Sequence, residues 1–82
     1  MSNEEIFRTM QSLIIEQFAV SEEDVTMNSS FEDDLGADSV DLVELVMAME
    51  EEFAIDEIQE DELTGLKTVG DCVLYLSAKL GK

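Results

Sequence analysis

The sequence predicts an all-α domain, a small four-helix bundle of three long helices and one short one. Three observations lead there: apolar residues recur at helical spacing in three stretches, polar cap residues precede those stretches, and no run alternates as a strand would. At 82 residues the chain reads as one domain, 1–82. A chain this short buries a limited core, which leaves little volume for an enclosed active site.

The first helix is expected over 3–18. Ser2 or Asn3 opens it, Glu4 and Glu5 suit the positive end of its dipole, and Ile6, Met10, Leu13, Ile14 and Phe18 share one face. The next stretch, 19–38, lacks sustained periodicity. Its length marks a functional or self-packed segment, with Val25, Phe31 and Leu35 as core anchors.

A second helix is expected over 39–53, capped by Asp38 or Ser39, with Leu42, Leu45, Val46, Met49 and Phe53 facing the core. On its opposite side, Val40, Glu44, Met47 and Glu51 align at helical angle with Val43 beside them. Apolar residues ringed by acids on an outer face read as a docking stripe. Beyond Phe53 the pattern breaks. A short helical turn is expected near 60–64, ended by Gly65. Thr68 then caps a last helix over 69–80, with Val69, Cys72, Val73, Leu76 and Leu80 inward and Gly81 after its end. Met10 and Met49 read as core, Met47 as exposed, and Tyr75 as a surface-edge residue with a solvated hydroxyl.

Charge sets the partner class. Twenty-one acidic side chains oppose four basic ones, for a formal net charge of -17, and histidine is absent. Phosphate recognition needs clustered Lys and Arg, so nucleic acid is not expected as a partner, and anionic membrane surfaces are disfavoured alike. Partners should carry basic patches, and encounter should weaken as salt rises. No apolar stretch approaches the ~20 residues that span a bilayer. A chain that opens on Met1 without a basic or Arg-rich leader reads as cytoplasmic.

Most reactive constellations are missing. Without histidine there is no Ser-His or Cys-His dyad, and one cysteine forms neither an intramolecular disulfide nor a zinc ligand set. Cys72 reads as a small core residue. The glycines form no phosphate-cradling loop. An EF-hand fails in both registers. With Glu44 at the twelfth position, Leu35 and Ala37 fall third and fifth; with Gly36 at the sixth, Phe31 falls first. No catalytic residue and no metal site is expected.

The run Asp33-Asp34-Leu35-Gly36-Ala37-Asp38-Ser39-Val40-Asp41-Leu42-Val43-Glu44-Leu45-Val46-Met47 resembles the acyl carrier protein family, most closely the free-standing carriers of bacterial fatty acid synthesis. Glu4-Glu5, Val25-Thr26, Phe31, Glu50-Glu51-Glu52-Phe53, Thr68-Val69-Gly70-Asp71 and Tyr75 extend the resemblance across nearly the whole chain. It implies a 4'-phosphopantetheine arm on Ser39, attached by a phosphopantetheinyl transferase and holding acyl groups as thioesters. It implies docking of fatty acid synthesis enzymes with basic patches on Asp38, Asp41, Glu44, Glu50 and Glu51, with Val40, Val43 and Met47 as the apolar part. It also implies an acyl pocket lined by Phe31, Val46, Met49, Ile58, Leu63 and Leu66. The protein is expected to be a monomer.

Three departures from the family pattern stand out. Val40 replaces the usual leucine, Gln59 stands where a proline is usual, and the stretch from Phe53 to Thr68 is one residue longer, near Asp56. Leu63 also sits where related carriers often have a small residue. Without the resemblance, Ser39 would read only as a helix cap and the acids as a solvated face. The alternatives are a carrier of a polyketide or other specialised pathway, and an acidic adaptor or cation-binding helical protein without a cofactor.

Overall fold

Reciprocal capping sets where the long helices begin. Ser2 Oγ accepts from the Glu5 amide at 3.2 Å while the Glu5 carboxylate accepts from the Ser2 amide at 2.8 Å. Asp38 and Asp41 repeat the exchange at 3.0 and 3.2 Å, and Thr68 and Asp71 do so at 3.1 Å in both directions. Each exchange satisfies two amides that a helix start leaves without partners. In the computed structural model, which describes residues 2–80, these caps open α1 (Asn3–Phe18), α2 (Ser39–Phe53) and α4 (Val69–Lys79). The short α3 (Glu60–Leu63) lies between α2 and α4.

Caps and bounds follow the sequence expectation closely. Asp38, not Ser39, caps α2, and α4 ends at Lys79, one residue early. Gly81, expected after that helix, lies outside the described residues.

Helix α1 packs along both α2 and α4, and no Cα of α3 comes within 8 Å of a Cα in another helix among the described residues. The core is built from Ile6, Met10 and Ile14 of α1, Leu45, Val46, Met49 and Phe53 of α2, and Val69, Cys72, Val73 and Leu76 of α4, all buried. Leu42 and Leu80, expected inward, are half-buried against it.

The long stretch after α1 is ordered by polar residues as much as by its anchors. Val25, Phe31 and Leu35 are buried as expected, and a 3-10 turn forms over Glu22–Asp24. The buried Ser29 hydroxyl accepts from the Thr26 amide at 2.9 Å and donates to the Asp24 carbonyl at 2.8 Å. Segment 27–31 is stapled to the start of α4. Phe31 N donates to Lys67 O, Val69 N to Ser29 O, and Gly70 N to Met27 O, at 3.0, 3.0 and 2.9 Å. Ser30 and Thr68 form an isolated antiparallel bridge there.

Little of the negative charge is neutralised internally. Among the described residues, Arg8–Glu4 is an exposed pair on one helix at 3.1 Å and Lys79–Glu62 spans 3.9 Å. Exposed pairs of this kind contribute little. Self-repulsion at a net charge of -17 should therefore be the main liability of the fold. Added magnesium or moderate sodium chloride is expected to raise the thermal midpoint; a gain of ~1 kcal/mol would appear as about 4–8 °C in a domain this size. An unchanged or lower midpoint would contradict that account.

Candidate functional site

The approach to Ser39 is shaped by a turn that the core holds from both sides. Gly36 takes φ +67°, a conformation glycine adopts without strain, between the buried side chains of Leu35 and Ala37. Ala37 N donates to Phe31 O at 2.7 Å and closes this turn. Because Asp38 caps α2, Ser39 occupies the first helical position with its side chain exposed. The first-turn amides and the helix dipole there favour a negatively charged group.

Along the outer face of α2, Val40, Val43 and Met47 are 64%, 50% and 62% exposed. Glu44 and Glu51 lie exposed on that face, as the helical angle implied. The acids expected to recognise partners divide by setting. Asp38 and Asp41 are engaged in the cap. Glu44 accepts from Gln17 Nε2 at 2.8 Å, a bond in the open. Glu50 is half-buried, and its carboxylate accepts from the Ile58 amide at 2.8 Å, tying down the chain that leaves α2. Glu50 thus has an internal task that sequence reasoning missed.

An apolar cavity of about 280 Å³ starts beside Ser39 and runs inward from α2. Leu42, Val43, Leu45, Val46 and Met49 of α2 form one wall, with Phe31 from the preceding loop. Leu63 of α3, Thr64 and Leu66 form the facing wall, and Cys72 of α4 contributes a buried surface. Ser39, Val43 and Thr64 are exposed and mark the mouth. Phe31, Val46, Met49, Leu63 and Leu66 therefore meet as expected. Ile58 does not: it is buried in the core, but the Glu50 carboxylate fixes its backbone beside the end of α2, and it does not line the cavity. Leu42, Leu45 and Cys72, read from periodicity only as core, are additional lining residues.

Cys72 is chemically quiet there. Burial, and secondarily the Asp71 charge, push its thiol from an ordinary 9.0 up to about 12. Its contribution to stability is complete below pH 9 and declines as pH rises from 9 towards 12, because the unfolded thiol ionises first. Alkylation at neutral pH should leave the native protein unmodified and label it only in denaturant, read by intact mass. Rapid labelling of the folded protein would contradict the burial.

Tyr75 departs from expectation. Its hydroxyl is not left to solvent but donates to Glu62 Oε1 at 3.1 Å, and Lys79 Nζ stands 5.5 Å from its ring centroid. Desolvation, followed by the Glu62 carboxylate, pushes the phenol up to about 12.

An exposed serine opening a long helix at the mouth of an apolar cavity can be compared directly with known proteins. Residues 8–76 match the family described as phosphopantetheine attachment site. The acyl carrier protein of Prochlorococcus marinus (strain MIT 9515) is 49% identical over 81 residues, covering 99% of this chain and 100% of that protein. That of Lactobacillus acidophilus is 46% identical over 81 residues, with the same coverage. The solved acyl carrier protein from Enterococcus faecalis aligns with a TM-score of 0.78 at 32% identity, covering 96% of this chain and 99% of that one. This chain belongs to the acyl carrier protein family.

As an acyl carrier protein it is a carrier and not an enzyme, and phosphopantetheine is its cofactor. The structure suits that group in two respects. A hydroxyl exposed at the first position of α2 is reachable by a modifying enzyme, and the apolar cavity beside it suits an acyl chain. No helix among the described residues is long and apolar enough to cross a membrane, and no acid cluster there has the make-up of a metal site.

Proposed function

We propose that Ser39 bears the phosphopantetheine arm and that this carrier delivers acyl groups between fatty acid synthesis enzymes in the cytoplasm. The observation that carries the reading is the exposed Ser39 at the first position of α2, with capping left to Asp38 and an apolar cavity beginning at its side. The attached group supplies a thiol for the acyl cargo, so the reactive sulfur is not the protein's own. The chain's residues perform the remaining tasks. The α2 terminus favours the phosphodiester charge, the cavity shelters the apolar tail, and the outer face of α2 meets partners.

Docking joins Val40, Val43 and Met47 to the surrounding acids Asp38, Asp41, Glu44, Glu50 and Glu51. A basic patch on the phosphopantetheinyl transferase or on a synthesis enzyme would be steered there by charge and then bury the apolar residues. Copies of a chain at net charge -17 repel one another, which supports a monomer.

Reconstitution tests the reading. With coenzyme A, a phosphopantetheinyl transferase and fatty acid synthesis enzymes, the wild type should support chain elongation and Ser39→Ala should support none. Glu44→Lys should load more slowly and with a shallower dependence on salt. Elongation by Ser39→Ala would overturn the assignment, and salt-insensitive loading would remove α2 charge from docking.

A further inference from the structure

Helix α3 has four residues, too few to hold a helical turn in water by themselves. Leu63 packs on the core, and among the described residues the polar side-chain ties of α3 to α4 run through one carboxylate. Glu62 Oε1 accepts from the Gln59 amide at 3.1 Å, which closes the turn, and from the Tyr75 hydroxyl of α4, also at 3.1 Å. Glu62 Oε2 faces Lys79 Nζ at 3.9 Å, and that ammonium also sits against the Tyr75 ring. The next residue, Leu63, lines the cavity.

We propose that Tyr75, Glu62 and Lys79 form a latch that holds α3 closed against the cavity, and that its release admits longer acyl chains. The proposal rests on the acyl reading of the cavity. Helix α1 packs on α2 and α4 and fixes those two walls, whereas α3 is, among the described residues, the wall without close backbone packing on another helix. A cavity of about 280 Å³ has room for a tail of limited length only. A longer tail needs a wall to move, and α3 is the wall held by the half-buried Leu63 side chain and by the polar contacts of Glu62 with α4. Such contacts break in local openings without global unfolding. Tyr75 and Lys79 are thus positioning residues that act through α3.

The test compares wild type, Tyr75→Phe and Lys79→Gln, each loaded with short, medium and long acyl groups. Two quantities are read: protection of the acyl linkage from hydroxylamine, and amide hydrogen exchange over residues 62–66. Far-UV circular dichroism checks that each variant keeps its helices, and the exposed Lys79→Gln serves if Tyr75→Phe does not fold. In the wild type, protection should grow with chain length and level off once the tail fills the cavity. In both variants that break should move to longer chains, furthest in Tyr75→Phe, where the 62–66 amides should also exchange about fivefold faster, the effect of losing one modest hydrogen bond. Lys79→Gln, which loses an exposed ion pair, should show a smaller change of the same sign. A merely stabilising contact would speed exchange without moving the break. Variants with the wild-type break overturn the latch and leave the acyl reading standing. A wild type without any length dependence overturns the acyl reading of the cavity and the latch with it.

Discussion

Phe31→Ala is expected to cost about 3–5 kcal/mol and to leave little folded protein at physiological temperature. Phe31 is 1% exposed, and its ring meets Phe18 edge-on at 6.5 Å between centroids. Its amide and carbonyl bond to Lys67 O and Ala37 N, so the same residue joins the loop to α4 and closes the turn before Ser39. Truncation would empty core volume at the junction that positions the site. Small domains have ~5–15 kcal/mol in reserve, and charge repulsion draws this one towards the lower end. Urea unfolding checks this; a loss below about 1 kcal/mol would show that the loop can collapse onto the gap.

Gly70→Ala should also destabilise, although helix propensity predicts the opposite sign. Exchanging glycine for alanine within a helix typically gains ~1 kcal/mol, and less in a first turn such as this one. Here a Cβ would stand 2.8 Å from the Met27 carbonyl oxygen, a backbone atom that also accepts from Gly70 N at 2.9 Å. Relieving that overlap breaks the staple between the loop and α4, for a net loss of about 1–3 kcal/mol. A higher urea midpoint for Gly70→Ala would contradict the argument. The φ of Gly70 is not the constraint; the close approach of two backbones is.

The long helices were legible because local signals agreed. Ser2, Asp38 and Thr68 each have an acid three residues on that returns the capping bond, and the apolar spacing behind each cap points one way. The site was legible in part for the same reason. A helix start at 38–39 and helical angle alone place Val40, Glu44, Met47 and Glu51 outward, whereas the gathering of Phe31, Val46, Met49, Leu63 and Leu66 at a cavity was implied only by the family resemblance.

What stayed hidden depends on contacts distant in sequence or on backbone geometry. Tyr75 and Glu62 are thirteen residues apart on different helices, and no periodicity connects them. Ile58 was expected in the cavity because it is apolar and near α3, but one bond from Glu50 to its amide sets its place instead. Cys72 faced inward as expected, yet nothing local distinguishes a core wall from a cavity wall. Ser29 reads as an ordinary loop serine, and only its burial with three polar contacts shows that it organises the turn.

The central claim is that a phosphopantetheine arm stands on Ser39 and nowhere else. The most direct measurement is peptide fragment mass analysis of the wild type after reaction with coenzyme A and a phosphopantetheinyl transferase. One added phosphopantetheinyl mass, confined to Ser39 and absent from the Ser39→Ala protein, is the predicted result. An unmodified wild type in the presence of an active transferase, or the added mass on Ser29, Ser30 or another residue, would contradict it.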